Sequence, residues 1–156
     1  MTTRAVTHTT FTIERTYPVP PTRVFAAFAD KELKERWFAT PPDWVDTLHD
    51  MDFRVGGRET NRGGPPGGTV HRFEAEYHDI VDDERIVYSY DLYLDDRRMS
   101  VSLATVELRP EGAGTRMTFT EQGAFLDGID DPAAREHGTN LMVDALGASL
   151  VAEADA

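Results

Sequence analysis

Three stretches of the chain alternate polar and apolar residues in immediate succession, separated only by short acidic turns. They run from Thr69 to Ile80, from Arg85 to Leu94 and from Met99 to Arg109, with turns at Asp82-Asp83 and Asp95-Asp96. A period of two puts successive side chains on opposite faces of a pleated strand, and connections this short join antiparallel neighbours. The middle of the chain therefore folds as an antiparallel meander with one apolar face, and something must cover that face.

The C-terminal segment supplies the cover. Asp131-Pro132 is a strong helix start, because an Asp side chain caps orphan amides and proline is preorganised for the first helical position. The helix is expected to run to about Ala152, with Leu141, Met142, Ala145, Leu146, Ser149 and Leu150 as its apolar stripe. Ahead of the meander, residues 8–17 alternate as a strand that Pro18, Pro20 and Pro21 end. The following VFAAFADKELKERWF, Val24 to Phe38, carries apolar residues at helical spacing with Asp30 as an N-cap between two short helices. A further strand is expected at Phe53 and Val55, before a glycine bend at Gly56-Gly57 and an exposed loop over TNRGGPPGG. A last strand, Thr115 to Gln122, follows the turn at Gly112-Ala113-Gly114. The order is one strand, two short helices, about six strands and a long helix, an α+β architecture.

With 156 residues, 40% apolar and 28% charged, the chain reads as one globular domain over 1–156, ordered over about 8–153. A formal charge of −12 repels phosphate backbones and anionic lipid surfaces, so neither nucleic acid nor membrane is an expected partner. The absence of cysteine removes thiolate chemistry and cysteine-ligated zinc. Residues 1–10 lack the apolar run of a secretory signal, and the expected location is the cytoplasm.

Three segments, in this order and spacing, carry a resemblance to a known family: VFAAFADKELKERWF at Val24 to Phe38, DFRVGG at Asp52 to Gly57 and GTRMTFTEQG at Gly114 to Gly123. The chain resembles the SRPBCC or START-like superfamily, within it the group similar to the activator of the heat-shock protein 90 ATPase. That resemblance implies a helix-grip, a curved antiparallel sheet of six to seven strands wrapped around the C-terminal helix, with a cavity between them. It also implies a small hydrophobic or amphipathic ligand, no cofactor, and, in the activator-like group, a chaperone as partner; a homodimer is the assembly expected of such a family. One departure is Gly138-Thr139, where many members have Gly-Trp.

Strand parity then selects the inward residues: His71, Phe73, Ala75 and Tyr77 on one strand, Ile86, Tyr88, Tyr90 and Leu92 on the next, and Met117, Phe119 and Glu121 on the last. The candidate ligand-binding residues are Trp37, Phe53, His71, Phe73, Tyr77, Tyr88, Tyr90, Met117, Phe119, Glu121, Leu141 and Met142. Trp37, Phe38 and Trp44 are placed around one opening of the grip. The same aromatics also read as packed core, with hydroxyls at the rim. Glu121, desolvated at an inward position, is a weak candidate for a proton donor or acceptor with His71 as partner, or pairs with an arginine such as Arg54. The five histidines have no zinc-site spacing, Ser89, Ser100 and Ser102 lack a nucleophile elbow, and Gly56-Gly57 leads into no helix. No metal site and no catalytic motif is evident. Three classes of function stay open: a binder of a small hydrophobic or amphipathic molecule, a chaperone-type interaction module, and a cavity enzyme of cyclase-like or hydrolytic type.

Overall fold

The computed structural model describes residues 4–154. Strand β1 (Val6–Tyr17) is followed by α1 (Pro21–Ala29) and α2 (Lys31–Lys34), then β2 (Val45–Met51), β3 (Arg58–Gly64), β4 (His71–Val81), β5 (Arg85–Leu94), β6 (Arg97–Glu111), β7 (Gly114–Leu126) and α3 (Pro132–Ala154). The seven strands form one curved sheet in the order β1-β7-β6-β5-β4-β3-β2, with every pair antiparallel. β1 and β2 lie at opposite edges and do not close the sheet, so the segment holding α1 and α2 carries the chain from one edge to the other. The architecture is the expected α+β helix-grip.

Local chemistry accounts for the elements. Asp30 accepts a hydrogen bond from the Leu33 amide and separates the two short helices, while Asp131 accepts one from the Ala133 amide at the start of α3. The acidic turns work because Asp83 and Asp95 sit at φ of 65° and 53°, a region Asp tolerates better than most residues.

The segment from Asp52 to Gly68 differs from expectation. Phe53 and Val55 belong to a bend, in which Gly56 has φ of 82° and a side chain on Gly57 would collide with the Asp52 carbonyl. TNRGG is part of strand β3, and only Pro65 to Gly68 turn; β2 was not expected at all. Both strands lack apolar alternation. β3 is held by ladders to β2 on one side and β4 on the other, a tertiary cause that periodicity does not reveal.

The core lies between the sheet and the helices. Helix α3 buries Arg135, Thr139, Val143, Leu146 and Leu150, spaced four, four, three and four residues apart, which is one helical face. That face is rotated from the expected stripe: Val143 is fully buried, whereas Leu141, about 200° away around the helix, is 57% exposed. The apolar half of the face packs near β1 and α1, where Tyr17 donates to the Val143 carbonyl at 2.8 Å and its ring lies against Gly147. The first half carries Arg135 and Thr139 and stands further from the sheet, and this separation leaves the space described next.

Candidate functional site

A cavity of about 630 Å³ lies between the first half of α3 and strands β4 to β7. Its sheet wall is formed by Phe73, Tyr88, Tyr90, Leu92 and Phe119, with Glu121 beside them, and Trp37 and Phe38 approach from the segment after α2. Alternation brings the strand residues to one side: Tyr88 and Tyr90, two residues apart on β5, have centroids 6.0 Å apart, and across the β4–β5 ladder Phe73 and Tyr90 have centroids 5.0 Å apart. On the helix, Ala134, Gly138 and Met142 form the facing wall at spacings of four. Ala134 and Gly138 are exposed, so the cavity opens along this flank of α3. Met99 reaches the wall from a bulge, because the β5–β6 ladder passes from Leu92–Ser100 to Tyr93–Arg98 and skips it. A smaller space of about 190 Å³ shares Phe38, His71, Phe73, Leu92 and Met99 with the first and extends to Trp44.

The polar end of the cavity is an ion-pair anchor. Arg135 donates through Nη1 to Tyr90 Oη (3.1 Å) and Glu121 Oε2 (3.4 Å), and through Nη2 to Ser100 Oγ (2.8 Å) and Asp130 Oδ2 (2.7 Å). Tyr90 donates to the Glu121 carboxylate, 2.8 Å from both oxygens, and Ser102 donates to Oε2 at 3.0 Å. Glu121 is 1% exposed and Arg135 9%. Burial would lower the Arg135 pKa, but Tyr90, Glu121 and Asp130 hold the guanidinium above its ordinary value; burial and Glu121 push the Tyr90 phenol up. Both terminal nitrogens of Arg135 are engaged and both Glu121 oxygens accept, so the group pins the first half of α3 across β5, β6 and β7.

A second buried group borders the cavity on the α2 side. Lys34, also in the cavity wall, pairs with Glu59 at 2.6 Å, and Tyr77 donates to the same Glu59 oxygen. His49 lies between Glu59 (2.8 Å) and Glu35 (2.9 Å), so both ring nitrogens face carboxylate oxygens, an arrangement that favours the doubly protonated ring. Its pKa is raised, chiefly by the hydrogen bond to Glu59. Burial alone would raise the Glu59 carboxyl, but Lys34, His49 and Tyr77 bring it down to about 2. Burial draws the Lys34 ammonium down against the pull of Glu59.

Of the residues singled out in the sequence, Trp37, His71, Phe73, Tyr88, Tyr90, Phe119, Glu121 and Met142 line the cavity. Four do not. Phe53 packs edge-on against Phe25 and Tyr77, Tyr77 is committed to Glu59, Met117 is fully buried in the core, and Leu141 points to solvent from the far side of α3. Trp37 also serves the core, donating to the Ala27 carbonyl at 3.0 Å and packing edge-on against Phe28. His71 is no partner of Glu121: it stacks on Trp44 with centroids 4.8 Å apart. Arg54 pairs with Asp52 at the surface, and Arg135 takes the role considered for it. Among the described residues no cluster of His, Asp or Glu is arranged to hold a metal ion. Arg135, Lys34 and Glu59 escaped the sequence reading because charged residues are rarely buried; the one available signal was Arg135's place in the 135/139/143 helical face.

The model of the family described as Activator of Hsp90 ATPase homolog 1-like protein matches residues 18–151. Among solved structures, protein Mll3558 from Rhizobium loti is 50% identical, with 93% of this chain and 99% of that chain covered and a TM-score of 0.87. An uncharacterized protein from Rhizobium leguminosarum is 42% identical, covers 96% and 98% of the two chains and has a TM-score of 0.89. CalU16 from Micromonospora echinospora shares the fold at 18% identity, with coverage of 96% and 86% and a TM-score of 0.63. No curated protein matches the chain. Among the described residues, no helix is long and apolar enough to cross a membrane.

Proposed function

The chain belongs to the Activator of Hsp90 ATPase homolog 1-like family, and from that premise we propose that it binds a small hydrophobic or amphipathic molecule between the sheet and α3. The observation that carries this reading is the cavity itself. Protein interiors are close-packed, with few voids larger than a water molecule, whereas about 630 Å³ falls within the range of small-molecule sites. Its walls offer broad aromatic area together with a few convergent polar groups, the combination that gives an amphipathic ligand affinity and orientation. The Arg135–Glu121 anchor supports binding over proton transfer, because both Glu121 oxygens are already occupied by Tyr90, Ser102 and Arg135. Anchoring the helix away from the sheet keeps the space open.

The test is titration with N-phenyl-1-naphthylamine, a neutral fluorophore. Binding at micromolar concentration should saturate at one site and perturb Trp37 emission. Gly138→Phe is the matched block: a side chain at Gly138 meets nothing within 4 Å at its Cβ, so the ring can occupy the mouth without disturbing the helix. It should abolish binding, while Asp95→Ala, at an exposed turn position outside the cavity lining, should leave binding unchanged. No binding to the native protein, or equal binding to the Gly138→Phe variant, would overturn the reading and favour the chaperone-interaction alternative.

A further inference from the structure

The cavity wall holds a phenol hydroxyl without a partner. The Tyr88 hydroxyl makes no hydrogen bond to any described residue, although Tyr88 is only 8% exposed. Every fully buried side-chain nitrogen and oxygen among the described residues is hydrogen-bonded, so this hydroxyl must face open space, and Tyr88 is a wall residue of the cavity. The neighbouring phenols differ: Tyr90 is committed to Glu121 and Tyr77 to Glu59. Burial pushes the Tyr88 pKa well up, so the group keeps its proton and is available as a donor.

The charges of the wall are balanced and mutually engaged. Arg135 is held by Glu121 and Asp130, and Lys34 by Glu59. A ligand carboxylate or sulfonate placed here would lose its hydration and find each of these cations already neutralised, within a chain whose overall charge is −12. A ligand cation would meet the same problem, because Glu121 and Asp130 are already paired with Arg135. An uncharged molecule escapes both penalties and can satisfy the free Tyr88 hydroxyl.

Resting on the binding reading above, we propose that the ligand is an electrically neutral, largely apolar molecule that presents a hydrogen-bond acceptor, a carbonyl or ether-type oxygen, to Tyr88 Oη. Charge is excluded by compensation within the wall, and orientation is set by the unpartnered Tyr88 hydroxyl.

Two probe pairs test it. N-phenyl-1-naphthylamine and 8-anilino-1-naphthalenesulfonate share a skeleton and differ by the sulfonate. The neutral compound should bind at least about tenfold tighter, and equal or tighter binding of the sulfonate would overturn the charge argument. In competition with the bound fluorophore, 2-acetylnaphthalene carries an acceptor that 2-ethylnaphthalene lacks. Tyr88→Phe removes an unpartnered hydroxyl and leaves the packing intact. It should weaken the ketone by about three- to tenfold and leave the hydrocarbon unchanged, as expected for one net hydrogen bond. Equal effects on the two competitors would overturn the donor role of Tyr88. If neither fluorophore binds, the binding reading itself falls and this proposal falls with it; discrimination failing while the neutral probe still binds refutes this proposal alone.

Discussion

Glu59→Gln is the substitution with the most calculable consequence. The carboxylate is 1% exposed and holds Lys34, His49 and Tyr77 together beneath α2. Its pKa is lowered from 4.5 to about 2, worth about 3 kcal/mol at about 1.4 kcal/mol per pH unit. Because the folded value lies below the unfolded one, this stabilisation is fully present above pH 4.5 and is lost as pH falls towards 2. His49 acts in the opposite sense: its folded pKa is raised above 6.5, so its contribution is complete below that pH and is lost as pH rises through the folded value. Burial drawing the Lys34 pKa down offsets part of the gain at the ammonium, so about 3 kcal/mol is an upper figure for the group. Urea denaturation followed by tryptophan fluorescence should show Glu59→Gln less stable by about 2–3 kcal/mol at pH 7, with the gap at pH 3 about half that or less. Adding Lys34→Met should recover part of the loss, because the buried ammonium then no longer lacks its counter-ion. A gap of constant size from pH 7 to pH 3, or none at pH 7, would refute this account of the group.

Two further outcomes follow from the packing of α3. Leu146 is fully buried beneath the helix, and Leu146→Ala should cost about 2–5 kcal/mol in the same assay; an unchanged midpoint would mean that the helix face is misplaced. The two helix glycines should respond in opposite directions. Gly138→Ala should stabilise by about 0.5–1 kcal/mol, because its Cβ enters open space and the helix gains a better former. Gly147→Ala should destabilise, because its Cβ would lie 2.9 Å from a Tyr17 ring held in place by its hydroxyl bond to Val143; equal thermal shifts for the two variants would contradict the packing described.

Much of the frame was legible because it rests on local periodicity. Alternation located β4 to β7 and assigned Phe73, Tyr88, Tyr90, Phe119 and Glu121 to the concave side, while the Asp131-Pro132 start located α3. Strands β2 and β3 were illegible for the opposite reason, since residues such as Arg58, Asn61 and Gly63 carry no alternating pattern and pair only because two neighbours are available. Leu141 and Val143 were exchanged because a helix with sparse apolar residues leaves its inward face ambiguous by a few residues. The polar half of the site was missed for a physical reason too. Burying Arg135, Lys34 or Glu59 is unfavourable until Glu121, Asp130 and His49 are brought beside them, and most of those pairings join different elements, brought together only by the fold.

The claim that the cavity takes a small apolar molecule can be read residue by residue from the methionine methyl groups. Met99 and Met142 line the cavity, on the sheet side and the helix side respectively, whereas Met51 lies on β2, outside the lining. With methyl-13C methionine incorporated, titration with N-phenyl-1-naphthylamine should move the Met99 and Met142 resonances together along one saturable curve and leave Met51 in place. Stationary Met99 and Met142 signals at probe concentrations that saturate the fluorescence, or a shift confined to Met51, would contradict the account.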